Sequence, residues 1–239
     1  MGRAFEYRKA RKFKRWAAMS KSFTRIGKEI AIAVKSGGNN PESNVRLRIA
    51  IQNAKGANMP KATVDSSIKK ASEKGSAEMA ELTYEGYGPY GVAIVIDTAT
   101  DNINRTVANI RSYFNKFNGS LGTSGSVTYM FETKAVFKIK NLDYNQDELE
   151  LDLIDSGLEE LELDVELNEY MIITNFNNYG TMYAALEAHG CELISSEIQR
   201  FPLNYKEITT AQEEAVEKLL ERIEEDEDVQ NVYHNYIIM

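Results

Sequence analysis

The sequence predicts a protein of the α+β class, in which a basic three-helix domain precedes two α/β domains, one inserted into the other. Three observations carry this. In the first third of the 239 residues apolar side chains recur with helical spacing, and beyond it they fall into the short apolar or alternating runs of strands. The charge changes sign at the same place: residues 1–75 hold 18 of the 28 Lys and Arg side chains against five carboxylates, whereas residues 76–239 hold 10 against 31. From residue 134 onward the helix and strand patterns follow the order βαββαβ, the ferredoxin-like split motif.

Residues 1–20 form a basic arm in which Phe5, Tyr7, Phe13 and Trp16 stand among the charges. An amphipathic helix is expected from Lys21 to Lys35. At 100° per residue Phe23, Ile26, Ile30, Ala33 and Val34 share one face, and Lys21, Arg25, Lys28 and Lys35 fall on the opposite one. Gly37, Gly38 and Pro41 stop it. A second helix is expected from about Pro41 to Lys55, with Leu47, Ala50, Ile51 and Ala54 on a common face and Arg46, Arg48 and Lys55 off it. Gly56 ends that helix. A third opens at Met59-Pro60-Lys61, since proline suits a first helical turn, repeats Val64, Ile68 and Ala71, and closes at Gly75.

The period then shifts to that of strands. Val92–Asp97 reads as a strand, Asn104–Phe117 as a helix, Gly119–Gly125 as a glycine-rich loop and Val127–Phe131 as a second strand. The inserted set follows: a strand (Val136–Lys140), a helix (Gln146–Asp155), strands Glu162–Glu166 and Tyr170–Phe176, a helix (Thr181–His189) and a strand (Glu192–Arg200). After Pro202 come a strand-like segment, a helix (Thr210 to about Glu224) and a strand (Val229–Ile238), which complete a second ferredoxin-like set with the earlier β-α-β unit. The expected domains are therefore 1–78, 79–133 plus 203–239, and 134–202.

Composition and motifs exclude several function classes. No apolar run approaches the roughly 18 residues of a membrane span. A lone Cys191 offers neither a disulfide nor a cysteine-based zinc site, and no apolar segment follows the first charges as in a secretory signal, so a cytoplasmic protein is expected. Gly86-Tyr87-Gly88-Pro89-Tyr90-Gly91 spells GxGxxG, but that motif cradles a pyrophosphate only when it follows a strand and opens a helix. Here a strand follows and Pro89 sits inside, which reads as a tight turn. Gly119, Gly122 and Gly125 lack the Lys-Ser/Thr of a P-loop. His189 and His234 stand far apart without metal-ligand spacing, and no GxSxG elbow exists. The acidic run Glu221, Glu224–Asp228 reads as a solvated helix end. No enzyme, cofactor, metal or small-molecule substrate is expected. The aromatic octapeptide of an RNA-recognition motif is absent from both acidic α/β domains.

The basic third is the functional signal. Lys and Arg that are nearly single-signed across three helices and an arm bind phosphate through counterion release, which gives affinity without base readout. The candidate nucleic-acid-binding residues are Arg3, Arg8, Lys9, Arg11, Lys12, Lys14, Arg15, Lys21, Arg25, Lys28, Arg46, Arg48, Lys55 and Lys61. The aromatic residues of the arm suit stacking on unpaired bases. The helices show no base-reading set, so weak sequence specificity is expected.

Several stretches resemble the YebC/PmpR family of gene-expression regulators, which includes the mitochondrial translational activator of cytochrome oxidase subunit I. They are Gly37-Gly38 with Pro41-Glu42-Ser43-Asn44, Arg46-Leu47-Arg48-Ile49-Ala50-Ile51, and Ala57-Asn58-Met59-Pro60-Lys61. Further on stand Tyr84-Glu85-Gly86-Tyr87-Gly88-Pro89, Thr100-Asp101-Asn102 with Asn104-Arg105-Thr106, Gly125-Ser126-Val127, and Asp228 through Asn235. They run in order along nearly the whole chain. One departure is clear: members usually open with Gly-His-Ser-Lys-Trp, whereas Gly2 is followed here by Arg3-Ala4-Phe5-Glu6-Tyr7-Arg8-Lys9. The resemblance implies a helical first domain and two α/β domains, and a DNA-binding transcriptional regulator. It equally implies the alternative, a ribosome-associated translation factor holding ribosomal RNA through the same basic domain.

Overall fold

A computed structural model of the chain describes residues 19–76, 78–142 and 144–239. The arm cations Arg3, Arg8, Lys9, Arg11, Lys12, Lys14 and Arg15 lie outside the described residues. Three basic helices follow them: α1 (Met19–Gly37), α2 (Val45–Gly56) and α3 (Lys61–Ser72). Their apolar faces meet in one core of Ile26, Ile30, Ala33 and Val34 from α1, Leu47, Ala50 and Ala54 from α2, and Val64 and Ala71 from α3. The second helix starts later than expected. Asn44, in extended backbone, accepts the Leu47 N–H at 3.0 Å and donates to the carbonyls of Ala33 and Gly38, both at 2.7 Å. A buried asparagine that caps one helix and ties down the end of another fixes that boundary, and residues 41–43 form the turn before it.

The first sheet begins with β1 (Ala80–Tyr87) and β2 (Ala93–Thr100), an antiparallel hairpin. Residues 88–92 connect them: Pro89–Gly91 form one 3₁₀ turn, with Tyr90 at φ 60° and Gly91 at φ 78°. β1 was not among the expected strands, and the one expected at Val127–Phe131 does not form. Thr128–Met130 make a 3₁₀ turn there, because the N–H groups of Val127 and Thr128 are taken by the Glu85 carboxylate at 2.7 and 2.8 Å. The sheet instead uses β3 (Ser120–Leu121), paired to Gly86 and Tyr87.

Helix α4 (Ile103–Lys116) leads into β3. Helix α7 (Thr210–Glu224) leads into β9 (Val229–His234), and the sheet order is β3-β1-β2-β9. Ile94 and Ile96 bury one face of β2 against Ile110 and Phe114 of α4 and Val216, Leu219 and Ile223 of α7. The opposite face, Ala93 and Val95, is covered by Val127, Phe131 and Tyr233. The strand expected through Ile238 breaks at Asn235, whose side chain accepts the Ala93 N–H at 2.9 Å. Beyond it β10 (Tyr236–Ile238) pairs in parallel with β8 (Lys206–Ile208).

Between these halves of the first sheet, in sequence, lies the second: β4 (Phe131–Lys140), α5 (Gln146–Ile154), β5 (Leu158–Asp164), β6 (Glu169–Asn175), α6 (Tyr179–Ala188) and β7 (Leu193–Pro202). Its order β5-β6-β4-β7, with all neighbours antiparallel, is the ferredoxin-like arrangement. Phe137, Ile139 and Ile172 of the strands close its core against Leu149 and Leu153 of α5 and Met182 and Leu186 of α6. Among the described residues the fold is thus three N-terminal helices followed by two four-stranded antiparallel sheets with helices between, and a short two-stranded parallel pair. The first sheet is wired ββαβ and then αβ, with both of its helices on one face.

Candidate nucleic-acid interface

Packing of the three helices decides which cations reach solvent. Lys21, Lys35, Arg46, Arg48, Lys55, Lys61, Lys69, Lys70 and Lys74 are exposed, and the exposed carboxylates of the same helices and their connections are Glu42, Asp65 and Glu73. Lys69 and Lys70 in the last turn of α3 and Lys74 just beyond it are exposed although they are not among the candidates; the run of lysines at the helix end is the signal that marks them.

Three candidates are engaged by other parts of the chain, Arg46 while still exposed. Lys28, expected on the solvent face of α1, has a side chain only 14% exposed. Its ammonium donates to the carbonyls of Ala99 and Glu227 at 2.9 and 2.8 Å and to Asp228 Oδ1 at 2.8 Å. The reason is tertiary: α1 lies across the end of β2 and the turn before β9, where three acceptors converge. Arg25 donates to the Glu224 carbonyl at 3.2 Å. Arg46 grips both carboxylate oxygens of Glu81 in a two-pronged pair. These side chains hold the helices to the sheets.

Asp228 is the hub of that junction. Besides Lys28 it accepts, on Oδ2, the Arg105 guanidinium at 2.8 Å and the hydroxyls of Thr106 and Thr100 at 2.8 and 3.1 Å. Burial raises its pKa, but hydrogen bonds from Lys28, Arg105 and Thr106 outweigh that and bring it down to about 2. Asp226, two residues earlier, accepts from Asn109 at 3.1 Å and from the Tyr113 hydroxyl at 2.8 Å. Burial, reinforced by this bond, pushes the Tyr113 pKa up to about 12. Arg222 lies over the Tyr113 ring at 4.6 Å. A cleft of about 450 Å³ opens between these groups. Its cations and carboxylates are already committed to one another, so it presents a neutralised network rather than a phosphate cradle.

A second contact fixes α2 against the edge of the second sheet. The Asn53 side chain donates to the Ser196 carbonyl and accepts the Ser196 N–H, both at 2.9 Å, which completes the exposed edge of β7 as a neighbouring strand would. Gln52 donates to the Leu193 carbonyl. Gly56 lies so close to β7 that a Cβ there would overlap the Ile194 carbonyl oxygen. At this seam burial and the neighbouring Glu197 push the Glu29 carboxyl up to about 7, against the opposing pull of Arg46.

The glycine-rich loop is held from within. The Glu85 carboxylate, 4% exposed, accepts the N–H groups of Gly125, Val127 and Thr128. Burial acts to raise its pKa, yet these bonds hold it below the usual carboxylate range. Among the described residues no three His, Cys, Asp or Glu side chains gather to hold a metal ion. No helix among them is long and apolar enough to cross a membrane. His189 Nδ1 lies 3.8 Å from Asp152, and His234 stacks on Tyr236 with centroids 4.3 Å apart.

Sequence stretches distant from one another therefore meet in pairs: Glu85 with Gly125–Thr128, Arg105 and Thr106 with Asp228, and Ala93 with Asn235. Comparison with known proteins assigns the whole pattern. Residues 3–74 match the model of the TACO1/YebC protein N-terminal domain, and residues 79–236 match that of the TACO1/YebC second and third domain. The chain belongs to the TACO1/YebC family. It is 56% identical over 234 residues to a "Probable transcriptional regulatory protein" of Flavobacterium psychrophilum, with 98% of each chain covered. A protein of the same printed name from Porphyromonas gingivalis is 56% identical over 236 residues, covering 98% of this chain and 97% of that one. The fold matches the crystal structure of a conserved hypothetical protein from Aquifex aeolicus at a TM-score of 0.80 and 36% identity, over 93% of this chain and 92% of that one. Family and relatives alike are named for regulation rather than for a catalysed reaction.

Proposed function

We propose that this family member is a cytoplasmic nucleic-acid-binding regulator of gene expression that acts as a DNA-binding transcriptional regulator, with the basic helical part (residues 1–78) as its binding domain. The observation that carries this is the outward set of Lys and Arg on α1–α3. Nine exposed cations stand there against three exposed carboxylates, while the α/β parts (79–133 plus 203–239, and 134–202) are acidic. Of the candidates, Lys21, Arg48, Lys55 and Lys61 are exposed on these helices, as are Lys35, Lys69, Lys70 and Lys74. Arg25, Lys28 and Arg46 are positioning residues for the docking of the helices. Phosphate contacts made by long lysines on short helices give affinity that falls steeply with salt and depends little on base sequence.

That weak base readout supports a second reading, a translation factor that holds ribosomal RNA through the same face. Co-sedimentation with ribosomes over a salt series, beside binding to duplex DNA, tests both. Duplex binding that survives at physiological salt without ribosome association is the expected result. Ribosome association that persists while duplex binding vanishes would transfer the function to translation, and binding to neither polyanion at low salt would remove the proposal altogether.

A further inference from the structure

Residues 141–199 contain fifteen carboxylates and no Lys or Arg. The same stretch carries several of the large apolar side chains that stand in solvent. Leu142 and Leu167 flank the paired asparagines Asn141 and Asn168, joined backbone to backbone at 3.0 Å, and Val165 stands beside them at the β5–β6 hairpin tip, 80% exposed. Four residues beyond Leu142, α5 begins. Its inner face buries Leu149 and Leu153, and its outer face presents Leu151 and Ile154, 69% and 53% exposed, one helical turn apart. Asp147, Glu148, Glu150, Asp152 and Asp155 surround those two.

Topology places this surface at the opposite edge of the sheet from the basic helices. α2 caps β7 through Asn53, whereas α5 leads into β5, three strands away. At about 4.8 Å per strand the two edges stand roughly 14 Å apart, before side chains. Glu187, Glu192 and Glu197 lie at the seam with the basic helices, whereas the carboxylates of α5 stand away from it. An apolar helix face inside a ring of carboxylates repels phosphate and matches an amphipathic cation.

We infer that the outer face of α5, with the β5–β6 hairpin tip beside it, is a docking surface for a Lys/Arg-rich protein segment that carries apolar anchors at helical spacing. The chain then acts as an adaptor, with a polyanion on one edge and a basic protein segment on the other. This goes beyond the nucleic-acid reading and does not rest on it, since the acidic face is intact whatever the basic face holds.

The experiment uses the full-length protein and two fluorescent 18-residue peptides of equal positive charge. One has Lys with Leu at i, i+3, i+4 and i+7 spacing, and the other has Ser in place of every Leu. The expected result is binding of the Leu peptide at least tenfold tighter than the Ser peptide at physiological salt. Leu151→Ser/Ile154→Ser should abolish that tenfold difference and leave nucleic-acid binding and the melting temperature unchanged, because both side chains already face water. Equal affinity for the two peptides, or a preference that survives in the double variant and in Val165→Ser/Leu167→Ser, would overturn the inference. So would concentration-dependent self-association of the wild type that the double variant lacks, since the occupant would then be a second copy of the chain.

Discussion

Replacing Lys28 by Met separates docking from phosphate binding. The substitution keeps most of the apolar stem and removes an ammonium with three acceptors, the carbonyls of Ala99 and Glu227 and Asp228 Oδ1, all within 2.9 Å. Asp228 keeps Arg105, Thr106 and Thr100 on its other oxygen, so its charge is not orphaned and the cost stays below that of breaking an isolated buried pair. A hydrogen bond to a charged group contributes about 1.5–3 kcal/mol, which sets the expected loss at about 2–3 kcal/mol. For a chain of this size that is roughly 5–10 °C in melting temperature. In an Asp228→Asn background the same change should cost less, because the charge it answers has gone, and the difference between the two is the coupling of the pair. Thermal melting of the four proteins measures it. Affinity for duplex DNA or ribosomes, measured below the melting transition, should stay within about twofold. If Lys28→Met lowered affinity as much as Lys61→Gln does while melting with the wild type, the assignment of Lys28 to docking would be wrong.

Other expectations follow from the same seam. The Glu29 pKa stands above that of an unfolded glutamate, so the folded state holds the extra proton and stability falls as pH rises from about 4.5 to about 7. Glu29→Gln should flatten that slope, as read by denaturant midpoints across this range. Asp228 behaves oppositely: its depressed pKa gives stability of about 2 kcal/mol that is present above pH 4 and lost as pH falls through about 2, and Asp228→Asn should remove this acid-limb dependence. Asn53→Leu deletes both bonds to Ser196 and leaves the β7 edge unsatisfied, at a cost of about 1–3 kcal/mol, with hydrogen exchange expected to accelerate at Ser196 first. Glu85→Ala should free the N–H groups of Gly125, Val127 and Thr128, visible as lost exchange protection confined to that loop, while the three-helix core keeps its own.

Much of the fold was legible because it rests on local pattern. The heptad-like repeats of α1–α3, the apolar run of β2 and the βαββαβ order of the second sheet each follow from side chains a few residues apart, whose spacing alone says which face must leave water. The reversal of charge near residue 75 is likewise a property of composition, and it is what singles out the basic helices for the proposed binding role. What escaped was set by partners distant in sequence. Val127–Phe131 has the residues of a strand, but Glu85 takes its N–H groups, a fact no window around residue 129 contains. Lys28 lies on the polar side of its helix, where periodicity assigns it to solvent, until α1 is laid across Ala99 and Asp228. The sequence by itself therefore determined the three basic helices, most of the second sheet's order and the sign of net charge in each part, since helical periodicity and net charge are summed locally. Only the tertiary structure decided which cations, such as Lys28, hold the molecule together, because a charge is committed by the acceptors brought within about 3 Å of it, and packing alone chooses those.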